Sequence, residues 1–443
     1  MSQHWLKMSA ADLGRGIGRG EIDPVALTQT YLDAITAHPL QHRIYARLTE
    51  TRALAEAHAA ADRARSGSRL GLLDGVPVSW KDLFDTAGVA TEAGSALLKG
   101  RVPQRDARVL QNASAAGLVC LGKTHMSELA FSGLGYNPVT ASPPCVNDVQ
   151  AVSGGSSSGA AASVAFDLAP CAIGSDTGGS VRIPAAWNDL VGLKTTSGRL
   201  SLAGVVPLVA SFDTVGPLCR SVEDASLLLA ALEGDQPADL RGATLTGKRL
   251  MILKTEAMDE VRDQPLAAFW AAVERLKSAG AQIDEGYAPE VSEALEMSAI
   301  LFTAEAYAQW RDTLEAAPDK VFGEILERFR AGASFAGVDF VQAWMKLRQL
   351  RQDYHARTAG YDAVILPTSQ ILPPNQHRLA TDHDYYITEN LHALRNTRIG
   401  NLMGCAGLTL PTATASCGLM LLTPPMSEKR LLRLGVAAER ALA

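Results

Sequence analysis

From Leu70 onward the sequence alternates short apolar runs, bounded by glycine or proline, with stretches of helical character. The runs GLLDGVPVSW (71–80), AGLVCLG (116–122), LAPCAIG (168–174), KRLMILK (248–254) and YDAVILPTS (361–369) have the length and apolar content of buried strands. Between them lie DARVLQNASAAG (106–117), GAAASVAFD (159–167) and SVEDASLLLAALEG (221–234); the last is an amphipathic helix with Ser221 and Asp224 in capping positions. Strand–helix alternation predicts an α/β fold, a sheet covered by helices. Residues 24–65 read as helical, from PVALTQTYLDAITAH through the alanine-rich ETRALAEAHAAADRARSG, and residues 262–358 read as mostly helical. No Pro/Gly/Ser-rich linker or repeat interrupts the chain, so a single domain is expected over residues 1–443. Its parts are N-terminal helices (1–69), a core (70–235), a mainly helical, lid-like region (255–360), and C-terminal strands and helix (361–443).

The 443 residues carry 41 basic and 47 acidic side chains, a formal net charge of −6. That balance gives no electrostatic footprint for nucleic acid or an anionic membrane. No apolar run reaches the roughly 18 residues of a membrane span, and the N-terminal stretch lacks the apolar segment of a secretory signal. The six cysteines (120, 145, 171, 219, 405, 417) form no CxxC pair and read as reduced thiols. A cytoplasmic protein is the expectation, with no nucleic-acid or membrane partner; the sequence leaves a homo-oligomer open.

Gly-rich punctuation concentrates between residues 153 and 199, where Gly154-Gly155-Ser156 and Gly178-Gly179-Ser180 are each followed by apolar residues. Paired glycines let main-chain N–H groups approach a ligand, the requirement of an oxyanion hole; the alternative is a pair of turns. Three other motifs compete. Gly117–Thr124 fits the phosphate-loop pattern letter for letter, but its middle, Leu-Val-Cys-Leu, has strand texture. Gly155-Ser156-Ser157-Ser158-Gly159 matches a nucleophile elbow but lacks the buried strand that must precede it. His38 and His42 lack the carboxylate of a zinc motif and read as structural; no metal site is expected. Lys81 closes a short β run. It is either an edge-strand lysine that blocks aggregation, or a buried amine kept neutral by desolvation and able to accept a serine proton.

Taken together these residues resemble the amidase-signature hydrolases. Four segments match in the expected order: GLLDGVPVSWKDLFDTAG (71–88), GLVCLGKTHMSELAFSG (117–133), SGGSSSGAAASVA (153–165) and GSDTGGSVRIPAAWNDLVGLKTTSGR (174–199). Weaker likeness runs through SFDTVGPLCRSVEDASLLLAAL and YDAVILPTS. The resemblance implies a large mixed, twisted sheet with helices on both sides. It implies a Ser–Ser–Lys triad with Ser180 as nucleophile, Ser156 as bridging serine after a cis peptide bond, and Lys81 as ultimate base. It further implies an oxyanion hole from the N–H groups of Thr177, Gly178, Gly179 and Ser180, with Ala130 lining the acyl site. Asp176 and Arg182 are expected to order the loop. No cofactor is implied. The chain departs from the family pattern at Ser158-Gly159, at Lys194-Thr195, at His125 and in the SCGLMLLTPP stretch.

The implied activity is hydrolysis of C–N bonds in small-molecule amides or carbamates through an acyl-enzyme. The alternative is the glutaminase subunit of a glutamyl-tRNA-dependent amidotransferase, which passes ammonia to a partner. Ile183, where those subunits typically carry glutamine, favours the stand-alone enzyme. Aromatic residues of the helical region (Phe302, Tyr307, Trp310, Phe329, Phe335, Phe340 and Trp344) read mostly as packing. Those that line the entrance would favour aryl amides or aryl urethanes.

Overall fold

In a computed structural model describing residues 2–443, eleven strands form one mixed sheet. In chain order they are β1 (Tyr45–Leu48), β2 (Pro77–Lys81), β3 (Val119–Thr124), β4 (Cys171–Ser175), β5 (Val191–Lys194), β6 (Val215–Cys219), β7 (Arg249–Leu253), β8 (Gln282–Gly286), β9 (Ala363–Pro367), β10 (Ala406–Pro411) and β11 (Gly418–Thr423). Their spatial order is β1-β3-β2-β4-β6-β5-β10-β11-β9-β7-β8. β2 runs parallel to both β3 and β4, and β7 to both β8 and β9; the other pairs are antiparallel. Every residue of β2, β3, β4, β5, β6 and β9 is buried, which requires cover on both faces of the sheet. The expected α/β architecture, with helices on both sides, is the one observed.

Two strands depart from the sequence reading. β1 interrupts the region read as helical, between the helices Gln41–Ile44 and Glu50–Arg65. Only four residues long, it is held by tertiary partners: the Tyr45 hydroxyl meets Ser79 Oγ at 2.6 Å and donates to the Leu168 carbonyl at 3.0 Å. β8 falls in the stretch read as mostly helical, between the helices Asp263–Ser278 and Pro289–Glu296. Its sequence, QIDEG, is polar because it is an edge strand, where charged side chains discourage further pairing. The helix Val222–Glu233 is capped by Ser221, which accepts from the Asp224 N–H at 3.1 Å. The Asp224 carboxylate instead accepts from the Ala11 N–H at 2.8 Å, tying down the first helix (Ala10–Gly18). All six cysteines are buried and free, and among the described residues no helix is long and apolar enough to cross a membrane.

Neighbouring parallel strands β2 and β4 end side by side, and crevices at the carboxyl ends of such strands are where open α/β sheets collect functional groups. Lys81 is the last residue of β2 and Ser175 the last of β4. β2 lies between β3 and β4, so Lys81 is interior to the sheet, which excludes the edge-strand reading. β6 closes against β5 with so little space that a Cβ at Gly216 would fall 1.9 Å from the Leu193 carbonyl oxygen. Gly216→Ala is therefore expected to lower unfolding stability by about 1–3 kcal/mol, as overpacking does, measured by denaturant titration.

Candidate active site

The amine of Lys81, wholly buried, donates to Ser156 Oγ at 2.7 Å and to Ser175 Oγ at 2.8 Å. Neither partner carries charge. Burial drives the amine down from its ordinary value, Asp176 and Asp213 draw it partly back, and the balance stands at about 7. An amine so placed is substantially unprotonated at neutral pH and can accept a proton through Ser156. The Gly155–Ser156 peptide bond is cis, as the resemblance implied. Ser157, next in the chain, donates its hydroxyl to the Ser175 carbonyl at 3.1 Å and caps the end of β4.

Ser180 sits in the loop after β4, just before the helix Arg182–Trp187. Its hydroxyl makes no hydrogen bond within the described chain and lines a cavity with Ala130, Thr177 and Gly178. The second link of the expected relay, Ser156 to Ser180, is not closed here. Catalytic hydrogen bonds in ligand-free sites are often long and tighten only around substrate. No group of the described chain accepts from the N–H groups of Thr177, Gly178 or Ser180. The N–H of Gly179 corrects the expectation: it donates to Asp176 Oδ1 at 2.8 Å and is turned away from an oxyanion. Gly179 contributes conformation instead. Its φ is +140°, and a Cβ there would lie 2.1 Å from Thr397 Oγ1.

The loop is held from within by Asp176. Besides Gly179, its carboxylate accepts from Arg182 Nε and Nη2 (both 2.9 Å), the Val181 N–H (3.2 Å) and Asn401 Nδ2 (3.0 Å). Burial alone would raise this carboxyl, yet the guanidinium of Arg182 outweighs it and holds the group well below the usual carboxylate range. Arg182 also donates to the Thr397 carbonyl (2.7 Å) and Asn401 Oδ1 (2.6 Å), and Thr397 Oγ1 donates to the Gly178 carbonyl (2.7 Å). A second carboxylate, Asp213, accepts from the Thr177 hydroxyl at 2.5 Å. The sequence reading thus placed Asp176 and Arg182 correctly but missed Ser175, Asp213, Thr397 and Asn401. The last two lie on the helix His383–Leu402, 215 and 219 residues along the chain from Arg182. One signal marks that helix: Asn390, Thr397 and Asn401 recur at helical spacing among residues that are otherwise buried and apolar on that face.

The competing motifs resolve structurally. Gly122, Lys123 and Thr124 belong to β3, and Lys123 Nζ donates to the Phe84 carbonyl (2.6 Å) and Thr91 Oγ1 (2.9 Å), so no phosphate cradle forms. Ala130, with φ +61°, lines the cavity as expected. That inner space is small, about 20 Å³, and Phe302, Arg328 and Arg398 separate it from an outer cavity of about 420 Å³. Of the aromatic residues singled out in the sequence, Phe302 lines both spaces. Phe329 packs on Phe131 with centroids 4.6 Å apart, Trp344 stacks on Phe212 at 5.0 Å, and Trp310 Nε1 donates to the Pro207 carbonyl.

Comparison with known proteins agrees with this fold. The sequence model of the amidase family matches residues 26–432. A glutamyl-tRNA(Gln) amidotransferase subunit of Thermobifida fusca is 33% identical, over 99% of this chain and 96% of that protein. An s-triazine catabolic enzyme solved as an inhibitor-bound complex superposes with a TM-score of 0.89 at 26% identity, covering 98% of both chains. The peptide amidase of Stenotrophomonas maltophilia superposes with a TM-score of 0.82 at 28% identity, over 98% of this chain and 97% of that one. The chain belongs to the amidase family, the amidase-signature hydrolases its motifs resemble.

Two outcomes follow from the buried groups. With Lys81 at about 7, kcat/KM for an amide should rise through neutral pH to an alkaline plateau, because the base works only when unprotonated; an acid optimum would contradict a lysine base. Arg182→Met leaves Asp176 buried without its cation and should cost about 3–5 kcal/mol of stability, read from urea titration.

Proposed function

We propose that the protein is a stand-alone hydrolase of small amides and carbamates that works through an acyl-enzyme on Ser180. The observation that carries this reading is the contact of a buried amine, pushed down to about 7, with Ser156, beside a free serine hydroxyl and unengaged N–H groups. In the proposed cycle Lys81 accepts the proton of Ser156, which takes that of Ser180 as its Oγ attacks the substrate carbonyl. The N–H groups of Thr177, Gly178 and Ser180 receive the oxyanion, each such donor being worth about 10²–10³ in rate. The C–N bond then breaks as the relay returns its proton to the leaving nitrogen, without which an amide anion could not depart. Water, giving up a proton to the same relay, attacks the acyl-enzyme and releases the acid.

A carbamate presents Ser180 with the same kind of carbonyl, less electrophilic because oxygen and nitrogen both donate into it. An aryl amine leaves more readily than an alkyl amine because its ring competes for the nitrogen lone pair. The outer cavity, with Phe302, Tyr386 and Leu391 in its walls, has the size and apolar lining to accept a ring. Aryl amides and low-molecular-weight aryl urethanes are accordingly within the proposed substrate range. Against the amidotransferase alternative stands Ile183, buried in an apolar cluster with Leu134, Trp187 and Leu394.

A fluorophosphonate probe tests the reading directly: it should add one mass equivalent, mapped by peptide digestion to Ser180. Ser180→Ala should remove both labelling and turnover with no loss of fold, and Lys81→Met should slow turnover by about 10²–10⁴-fold or more. Label on Ser157, or glutamine turnover seen only with a partner protein, would reject the assignment.

A further inference from the structure

Where the helix Gly323–Arg330 touches the start of the helix His383–Leu402, three metal-ligating side chains converge. Glu324 and Glu327 stand one turn apart on the first helix and line the outer cavity, and His383 opens the second helix. One ligand atom from each lies within 4.8 Å of the other two, and no other three His, Cys, Asp or Glu side chains among the described residues are so placed. His383 Nδ1 already meets Glu324 Oε1 at 2.7 Å. Asp382 fixes the backbone from which the imidazole projects, accepting from the Tyr385 N–H at 3.0 Å.

An ordinary ion pair of His383 with Glu324 accounts for two of the three groups but leaves Glu327 over. The Glu327 carboxylate accepts no hydrogen bond within the described chain, although two arginines follow it in sequence; Arg328 turns to the Phe131 carbonyl and Arg330 to Glu315. Two carboxylates on adjacent turns of one face repel each other, a cost that a shared cation removes. Both draw the imidazole above its ordinary value, Glu324 by its hydrogen bond and Glu327 through space, and a dication answers the same field with twice the charge of a proton. A separate feature points to a ligand at this place. Tyr386, one turn after His383 and 3% exposed, lines the same cavity as both glutamates with a hydroxyl that has no hydrogen-bond partner. Other buried hydroxyls lack partners, Tyr354 among them, but Tyr386 alone stands one turn from a metal-ligating set. A hydroxyl there suits water carried by an ion, the outer contact that metal sites usually have.

The donors restrict which ion fits. One imidazole and two carboxylates suit zinc and its first-row neighbours, which bind such atoms at about 2.0–2.2 Å and leave positions open to water. Ligand atoms around such an ion lie about 3.4 Å apart, a spacing that the exposed side chains of Glu327 and His383 reach from 4.8 Å by rotation. Calcium, which takes about six to eight oxygens, and magnesium, which sheds its water reluctantly, are poorly served by this set.

We propose that Glu324, Glu327 and His383 bind one zinc-class divalent cation, which clamps the helix Gly323–Arg330 to the helix His383–Leu402 at the wall of the outer cavity. Binding displaces the proton shared by His383 and Glu324, and water keeps the ion's remaining positions. The site lies outside the serine–lysine relay and is independent of the hydrolase reading. No sequence motif marks it, because His383 lies 59 residues from Glu324.

The test takes the full chain, stripped with EDTA and desalted, with zinc chloride as probe and magnesium and calcium chlorides as controls. Zinc should bind at one equivalent in a calorimetric titration and raise the melting temperature at that equivalence, whereas neither control should. Glu327→Gln and His383→Ala should each weaken zinc binding by roughly 100-fold or more, since changes to outer partners alone cost roughly 10–100-fold. Glu327 has no partner to lose, so Glu327→Gln should not lower the melting temperature of the metal-free protein, which keeps the comparison clear of misfolding. Zinc binding unchanged in both variants, no binding at one equivalent, or stabilisation by calcium equal to that by zinc overturns the assignment.

Discussion

A lysine amine enclosed at the end of β2, 2.7 and 2.8 Å from two serine hydroxyls, is the contact on which the rest of the site depends. Had a carboxylate taken the place of either hydroxyl, the amine would be locked in its charged form and useless as a base. The acids that do act on it, Asp176 and Asp213, are themselves occupied, one by Arg182 and the other by Thr177 and the N–H groups of Leu208 and Val209. Their charges therefore moderate the amine without pairing with it, and the group settles near neutrality. The sheet supplies this environment: β3 and β4 flank β2 and exclude water from its carboxyl end.

The loop that carries Ser180 is ordered by the same distribution of charge. Asp176 gathers five donors, four of them from residues 179–182, and the Arg182 guanidinium binds that hub to the helix His383–Leu402 through the Thr397 carbonyl and Asn401. Because Gly179 gives its N–H to Asp176, the loop keeps three donors open and turns the fourth inward. That helix has two faces at work. Thr397 and Asn401 brace the loop, while Arg398 and Leu394 reach into the cavity beside Ser180.

Much of this was legible in the sequence, and the reason is locality. β2, β3, β4, β7 and β9 announce themselves as apolar runs beside glycine or proline, because strands buried on both faces cannot alternate polar and apolar residues. β1 and β8 did not, since a four-residue strand and a polar edge strand take their conformation from neighbours rather than from pattern. Within the site, Lys81, Ser156 and Ser180 stand in segments dense with glycine and small residues, where close backbone approach leaves a sequence trace. Thr397 and Asn401 leave only a faint trace, polar residues recurring at helical spacing on a buried face, and only the tertiary fold brings them and Arg398 to the loop.

The ionisation of Lys81 in the resting protein can be measured directly by NMR titration of lysine labelled with 13C at Cε. Lys81→Met assigns its signal and separates it from Lys194, another buried amine pushed down, to about 8. A resonance lost in that variant and titrating with a midpoint near 7 would support the account. A Lys81 signal that stays protonated until about pH 10, as in an ordinary solvent-exposed lysine, would contradict it.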